Sequence, residues 1–156
     1  MAQPLSTPKQ SIPLIRLEPN PRIPGLCSIF TDAAWNSSTG TTGLGWIIDD
    51  LVSSTQHSAT VTSVSSSLMT ETLAVRSAMT FALSIRLDSI ALFSDSQTLI
   101  NVIKKKSMNL EIFGVINDIY LLASSFTSIV FNFILRSANV KADLVAKHVI
   151  WASNPV

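Results

Sequence analysis

The chain has 156 residues, 47% of them apolar and 13% charged, with a net charge of +1. That length closes one core, burying roughly two-thirds of the unfolded surface, and the near-neutral balance excludes holding nucleic acid by bulk basicity alone. No apolar run reaches the ~18 residues of a membrane helix, and one cysteine with two histidines excludes an internal disulfide and a Cys/His metal site.

Residues 1–25 hold six of the seven prolines and three basic residues, Lys9, Arg16 and Arg22, against Glu18. A proline-rich tail or linker is expected there, with the folded domain over residues 26–156. The opening MAQPLSTPKQ lacks the apolar segment of a secretory signal. With the lone cysteine this points to a reducing, intracellular setting, the compartment itself unassigned.

Inside the domain, Cys27 to Thr31 reads as a strand that ends at Asp32. Leu44 to Ile48 is a second strand, closed by a turn at Asp49-Asp50, and residues 57–64 alternate as a third, near an edge. A helix is expected from about Leu68 to Ile85, a strand over Ile90–Phe93 and a helix over Ser96–Lys105. Ile112 to Ser124 reads as helix and Ser128 to Leu135 as the fifth strand. A last helix follows, about Val140 to Trp151, with Asn139 as its N-cap. Three closely joined strands predict an antiparallel meander, and two strands each preceded by helix predict right-handed parallel crossovers. The expected fold is α/β, a five-stranded mixed sheet with helices on its faces and its ligand site beyond the carboxyl ends of the strands.

Four acids bear on that site. Asp32 and Asp95 each close a strand, although turns and helix starts favour aspartate anyway. Glu71 shares a helix face with Val75, Ala78, Ala82 and Ile85, a face otherwise apolar. A glutamate there is costly unless a partner meets it or it reaches water at the helix start. Asp143 falls in the first turn of the last helix, where the dipole also favours it. Together, four carboxylates at one sheet edge repel one another unless a hard divalent cation lies among them. Oxygen-only ligation suits Mg²⁺ or Mn²⁺, and two such ions make the clamp used for phosphodiester hydrolysis.

Four stretches, FTDAAWNSSTGTTGLGWIIDD, METLAVRSAMTFAL, LFSDSQTLINVI and RSANVKADLVAK, give residues 27–152 a family resemblance. The chain resembles the plant ribonuclease H-like domain associated with reverse transcriptases of non-LTR retrotransposons, a branch of type 1 ribonuclease H. That resemblance implies a ribonuclease H-like fold with Asp32, Glu71, Asp95 and Asp143 as catalytic, metal-holding carboxylates for two Mg²⁺ ions, Mn²⁺ being an alternative. It implies an RNA–DNA hybrid as substrate, with Gln97 touching the minor groove, residue 33 approaching the RNA strand and Asn139 shaping the loop to Asp143. It also allows the chain to be part of a longer reverse-transcriptase polyprotein.

Four departures stand against the family pattern. Ala33 occupies the usual glycine position, and Phe133, expected as strand core, replaces a histidine that helps product leave. The short connection near residue 108 has no room for a basic handle, and Lys104-Lys105-Lys106 reads as a solvated helix end. Val140 stands where the family often has glutamate. Trp46 is expected in the core and Trp35 to pack near Asp32; Gly40, Gly43 and Gly45 suggest a turn and close packing, and His57 and His148 match no pattern. The expected activity is hydrolysis of the RNA strand of a hybrid. The alternative is a domesticated, catalytically weak or silent domain that binds nucleic acid or a protein partner.

Overall fold

The computed structural model describes residues 25–153, so the proline-rich segment expected over residues 1–25 lies outside it but for Gly25. Five strands form one mixed sheet: β1 (Cys27–Asn36), β2 (Thr41–Asp49), β3 (Ser54–Val61), β4 (Ser89–Ser94) and β5 (Ser128–Phe133), in the order β3-β2-β1-β4-β5. β1, β2 and β3 pair antiparallel; β4 adds parallel to β1, and β5 parallel to β4. The helices are α1 (Ser67–Ser84), α2 (Gln97–Lys105), α3 (Phe113–Ala123) and α4 (Val140–Ser153). This is the α/β architecture the sequence implies. Among the described residues no helix is long and apolar enough to cross a membrane.

Three local expectations are corrected. β1 runs past Asp32 to Asn36, because its hairpin ladder with β2 continues to the pair Asn36↔Thr41. β3 starts three residues earlier than expected, since Asp50 Oδ1 accepts from the Val52 and Ser53 amides and closes the turn tightly. The N-cap of α2 is Ser96, whose Oγ accepts from Leu99 N at 3.3 Å. Asp95 is thereby released from the capping role that its position suggests.

Two cores flank the sheet. The larger joins Ile29, Leu44, Trp46, Ile90 and Leu92 to apolar residues of α1, α2 and α3. Each such side chain contributes about 1.5–3 kcal/mol when fully buried. Val75, Ala78 and Ala82 of α1 are buried as expected, whereas Ile85, the C-cap residue, is exposed. On the opposite face Phe30 stacks on Phe93 at 4.9 Å, and both pack beside Ala142 of α4. Trp46 is core, and Trp35 is half-buried with Nε1 donating to the Val64 carbonyl at 3.1 Å.

Helix α4 reaches the sheet because β2 presents bare backbone beneath it at Gly43 and Gly45. A Cβ on Gly43 would collide with the Ala146 carbonyl, and one on Gly45 would lie 2.8 Å from both the Ala142 carbonyl oxygen and the Ala146 nitrogen. Ala142 and Ala146 are themselves buried, so small residues meet on both sides. Gly45→Ala is therefore expected to push α4 outward and cost about 1–3 kcal/mol, as overpacking does. A thermal melt would show it, and an unchanged melting temperature would contradict this packing.

Candidate active site

The parallel ladder between β1 and β4 ends at the pair Thr31↔Ser94. The next residues on the two chains are Asp32 and Asp95. Thr31 Oγ1 donates to the Phe93 carbonyl at 3.0 Å, and Ser94 Oγ accepts from the Ser96 amide at 3.1 Å, which fixes both strands up to the acids. Glu71 enters from the second turn of α1. Asp32 and Glu71 are buried, and the Asp95 side chain is only 2% exposed. One oxygen from each of Asp32, Glu71 and Asp95 lies within 4.8 Å of the others.

Burial first, and repulsion among the acids second, set the protonation of Asp32 and Glu71. Burial, then the charges of Asp95 and Asp143, push Asp32 up to about 7, against the pull of the Ala33 amide. Burial, then the charges of Asp32 and Asp95, push Glu71 up to about 10, partly opposed by the Arg136 charge. Glu71 also hydrogen-bonds Asp32, while its Oε1 is buried with no partner among the described residues. An unpartnered buried oxygen beside two more carboxylates is a poor structural arrangement but a ready donor set for a hard divalent cation. The residues present fit Mg²⁺ or Mn²⁺.

The other residues singled out from the sequence fall around this trio. Asp143 stands outside the group of three, in the first turn of α4, where Lys147 Nζ approaches its Oδ2 at 3.0 Å. Asn139 is fully buried, and its Nδ2 donates to the Thr31 carbonyl at 2.8 Å and to Asp95 Oδ2 at 3.4 Å. Asn139 holds the expected N-cap position, where its main-chain oxygen receives the Asp143 amide, but its side chain turns to the sheet and its Oδ1 has no partner among the described residues. The Ala33 amide donates to Asp32 Oδ1 at 2.9 Å, and Gln97 is exposed at the start of α2. Phe133 is 38% exposed, which corrects the expectation of a core residue; it pairs in register with Ser94, at the rim of the same site.

Sequence reasoning missed Arg136. Its Nε lies 3.8 Å from Asp95 Oδ2, with the side chain 82% exposed, so it places a positive charge at the mouth of the acidic site. It was within the stretch RSAN, but nothing in its spacing distinguishes a site cation from a solvated one.

A mixed sheet of this order, with acids where its central parallel ladder ends, is a ribonuclease H-like fold. Solved structures agree. The chain is similar to a ribonuclease H1 from the archaeon Halobacterium salinarum, with a TM-score of 0.74 at 18% identity, covering 81% of this chain and 98% of that one. It is similar to the N-terminal ribonuclease H domain of a Mycobacterium tuberculosis protein, with a TM-score of 0.71 at 16% identity, covering 81% and 96%. A ribonuclease H1 isolated from compost, solved in complex with an RNA/DNA hybrid, gives 0.67 at 17% identity over 82% and 99%. The chain belongs to the reverse transcriptase-like family, whose model matches residues 30–149. A comparison with curated protein sequences found no match.

The protonation of Asp32 and Glu71 has a measurable consequence. Asp32 and Glu71 bind protons more tightly in the folded chain than unfolded carboxylates, whose pKa values lie near ~4. Above that value the native state holds more protons, so stability falls as pH rises. Without divalent cation the melting temperature should drop between about pH 5 and about pH 8. Glu71→Gln should flatten that drop and raise the melting temperature at the alkaline end by roughly several degrees. A wild-type profile that rises over this range would contradict the assignment.

Proposed function

We propose that this domain is a metal-dependent endonuclease that hydrolyses the RNA strand of an RNA–DNA hybrid. The observation that carries the reading is the buried trio of Asp32, Glu71 and Asp95, each offering an oxygen within 4.8 Å of the others. In this reading Asp32, Glu71, Asp95 and Asp143 are the catalytic residues and hold two Mg²⁺ ions, with Mn²⁺ able to replace them. Bound there, the ions would supply an activated water and charge stabilisation at the leaving oxygen.

The chain's own groups set up that chemistry. The Ala33 amide orients Asp32, and Asn139 ties Asp95 to the Thr31 carbonyl, so two ligands on different strands are held in one frame. Gln97 projects from the start of α2 to reach the minor groove, and Ala33 abuts the RNA strand. Arg136, exposed beside Asp95, attracts the phosphate backbone to a site that otherwise repels it. Selectivity for RNA comes from the 2′-hydroxyls of the strand that is cut. The reverse transcriptase-like family match is consistent with a retroelement origin, and the sequence resemblance favours a plant non-LTR retrotransposon as the source.

A second reading, a domesticated and catalytically weak or silent domain, is favoured by one observation: Asp143 is bound to Lys147 rather than gathered with the trio. Cleavage of a labelled hybrid decides between them. The enzyme reading expects cutting of the RNA strand alone with Mg²⁺ or Mn²⁺ and none with EDTA. Asp95→Asn should lower the rate by more than about a hundredfold, beyond what losing an outer-shell partner costs. Hybrid that is bound but left intact under every metal condition would sink the enzyme reading and leave the silent domain.

A further inference from the structure

A groove of about 920 Å³ lies between residues of the two elements that carry Asp32 and Asp143. Trp35 and Asn36 of β1 line one wall; Leu144, Lys147, His148 and Trp151 of α4 line the other. Along α4, Asp143, Lys147 and Trp151 recur every four residues, so a carboxylate, a cation and an indole share one stripe of the helix. Lys147, which lines the groove, pairs with Asp143 at the near end of this stripe.

Its lining is unlike the site it joins. No carboxylate lines it among the described residues, and its charged or titratable members are Lys147 and His148. Trp151 is 79% exposed, a large aromatic face left in water, whereas Trp35 is fixed by its bond to the Val64 carbonyl. Two indoles and Lys147, whose ammonium also pairs with Asp143, line one groove, a set that suits a flat ring carrying a phosphate. Base–aromatic stacking needs a free base face, which a paired base inside a duplex does not offer. The volume lies within the range of sites that enclose a molecule of nucleotide size.

We propose that this groove binds an unpaired nucleotide of the RNA strand where that strand leaves the hybrid, with Trp151 as the stacking platform and Lys147 facing the phosphate. The proposal rests on the hybrid reading of the adjoining site. It makes the domain a reader of the junction between hybrid and single-stranded RNA, beyond the duplex itself.

Binding of the full chain in EDTA, where no cutting occurs, tests this separately from activity. Labelled hybrids with one duplex sequence would be blunt, or extended by single-stranded RNA at the 5′ or the 3′ end. The wild-type chain should bind one extended hybrid at least about fivefold more tightly than the blunt one, the low end of base–aromatic stacking. Trp151→Ala should erase that preference, Trp151→Phe should keep most of it, and all three proteins should bind the blunt hybrid alike. The proposal is overturned by equal wild-type affinity for all hybrids, by a preference that survives Trp151→Ala, or by a loss that is the same on blunt hybrid. A dimer in sedimentation that Trp151→Ala dissolves would also overturn it, assigning the groove to a second copy of the chain. Failure of the ribonuclease reading shows elsewhere, as absent cleavage of blunt hybrid with Mg²⁺.

Discussion

Three carboxylates crowded where two parallel strands stop pairing are the constraint on which the rest of this molecule turns. Left alone they repel, and burial makes each charge costlier still, so Glu71 and Asp32 retain protons well above the ordinary range. A fold gains nothing from that arrangement. It tolerates it because the surrounding sheet and helices over-determine where each acid sits: Asp32 and Asp95 by the β1–β4 ladder, and Glu71 by an α1 face whose neighbours Val75, Ala78 and Ala82 are fully buried.

The fourth acid depends on a different device. Asp143 rides on α4, and α4 lies close to the sheet only because Gly43 and Gly45 present bare backbone to Ala142 and Ala146. Asn139, at the turn into α4, then binds the Thr31 carbonyl and Asp95 at once. The sheet, the trio and the last helix are thus linked through one buried amide. Lys147 and Arg136 each pair with one of these acids, so the acidic centre is bordered by cations.

Much of this was legible in the sequence, for physical reasons that differ from residue to residue. Glu71 stood out because it interrupts an apolar stripe, and burial of that stripe is what a 3.6-residue period encodes. The fold was legible because strand spacing and the two crossovers leave few topologies. Asp32 was placed near the site but at the wrong point of its strand, since hairpin pairing with β2 extends β1 and no local signal marks that ladder's end. Asp95 and Asn139 both occupy positions where capping is the ordinary expectation; Ser96 takes the cap in one case, and the sheet takes the amide in the other. Arg136 and the exposure of Phe133 were not legible, because each depends on which side of the β5–α4 connection faces the acids, a tertiary fact with no periodic signature.

The central claim is that the trio is a divalent-cation site in which Asp32 and Glu71 retain protons until the ion arrives. Calorimetric titration of the chain with Mn²⁺ near neutral pH, repeated in buffers of different ionisation enthalpy, tests it most directly. The account predicts saturable binding accompanied by proton release, since the ion must displace protons from Glu71 and Asp32, with both effects lost in Asp32→Asn. Binding without proton release, or binding unchanged in that variant, would contradict it, and absent binding would return the carboxylates to a purely structural role.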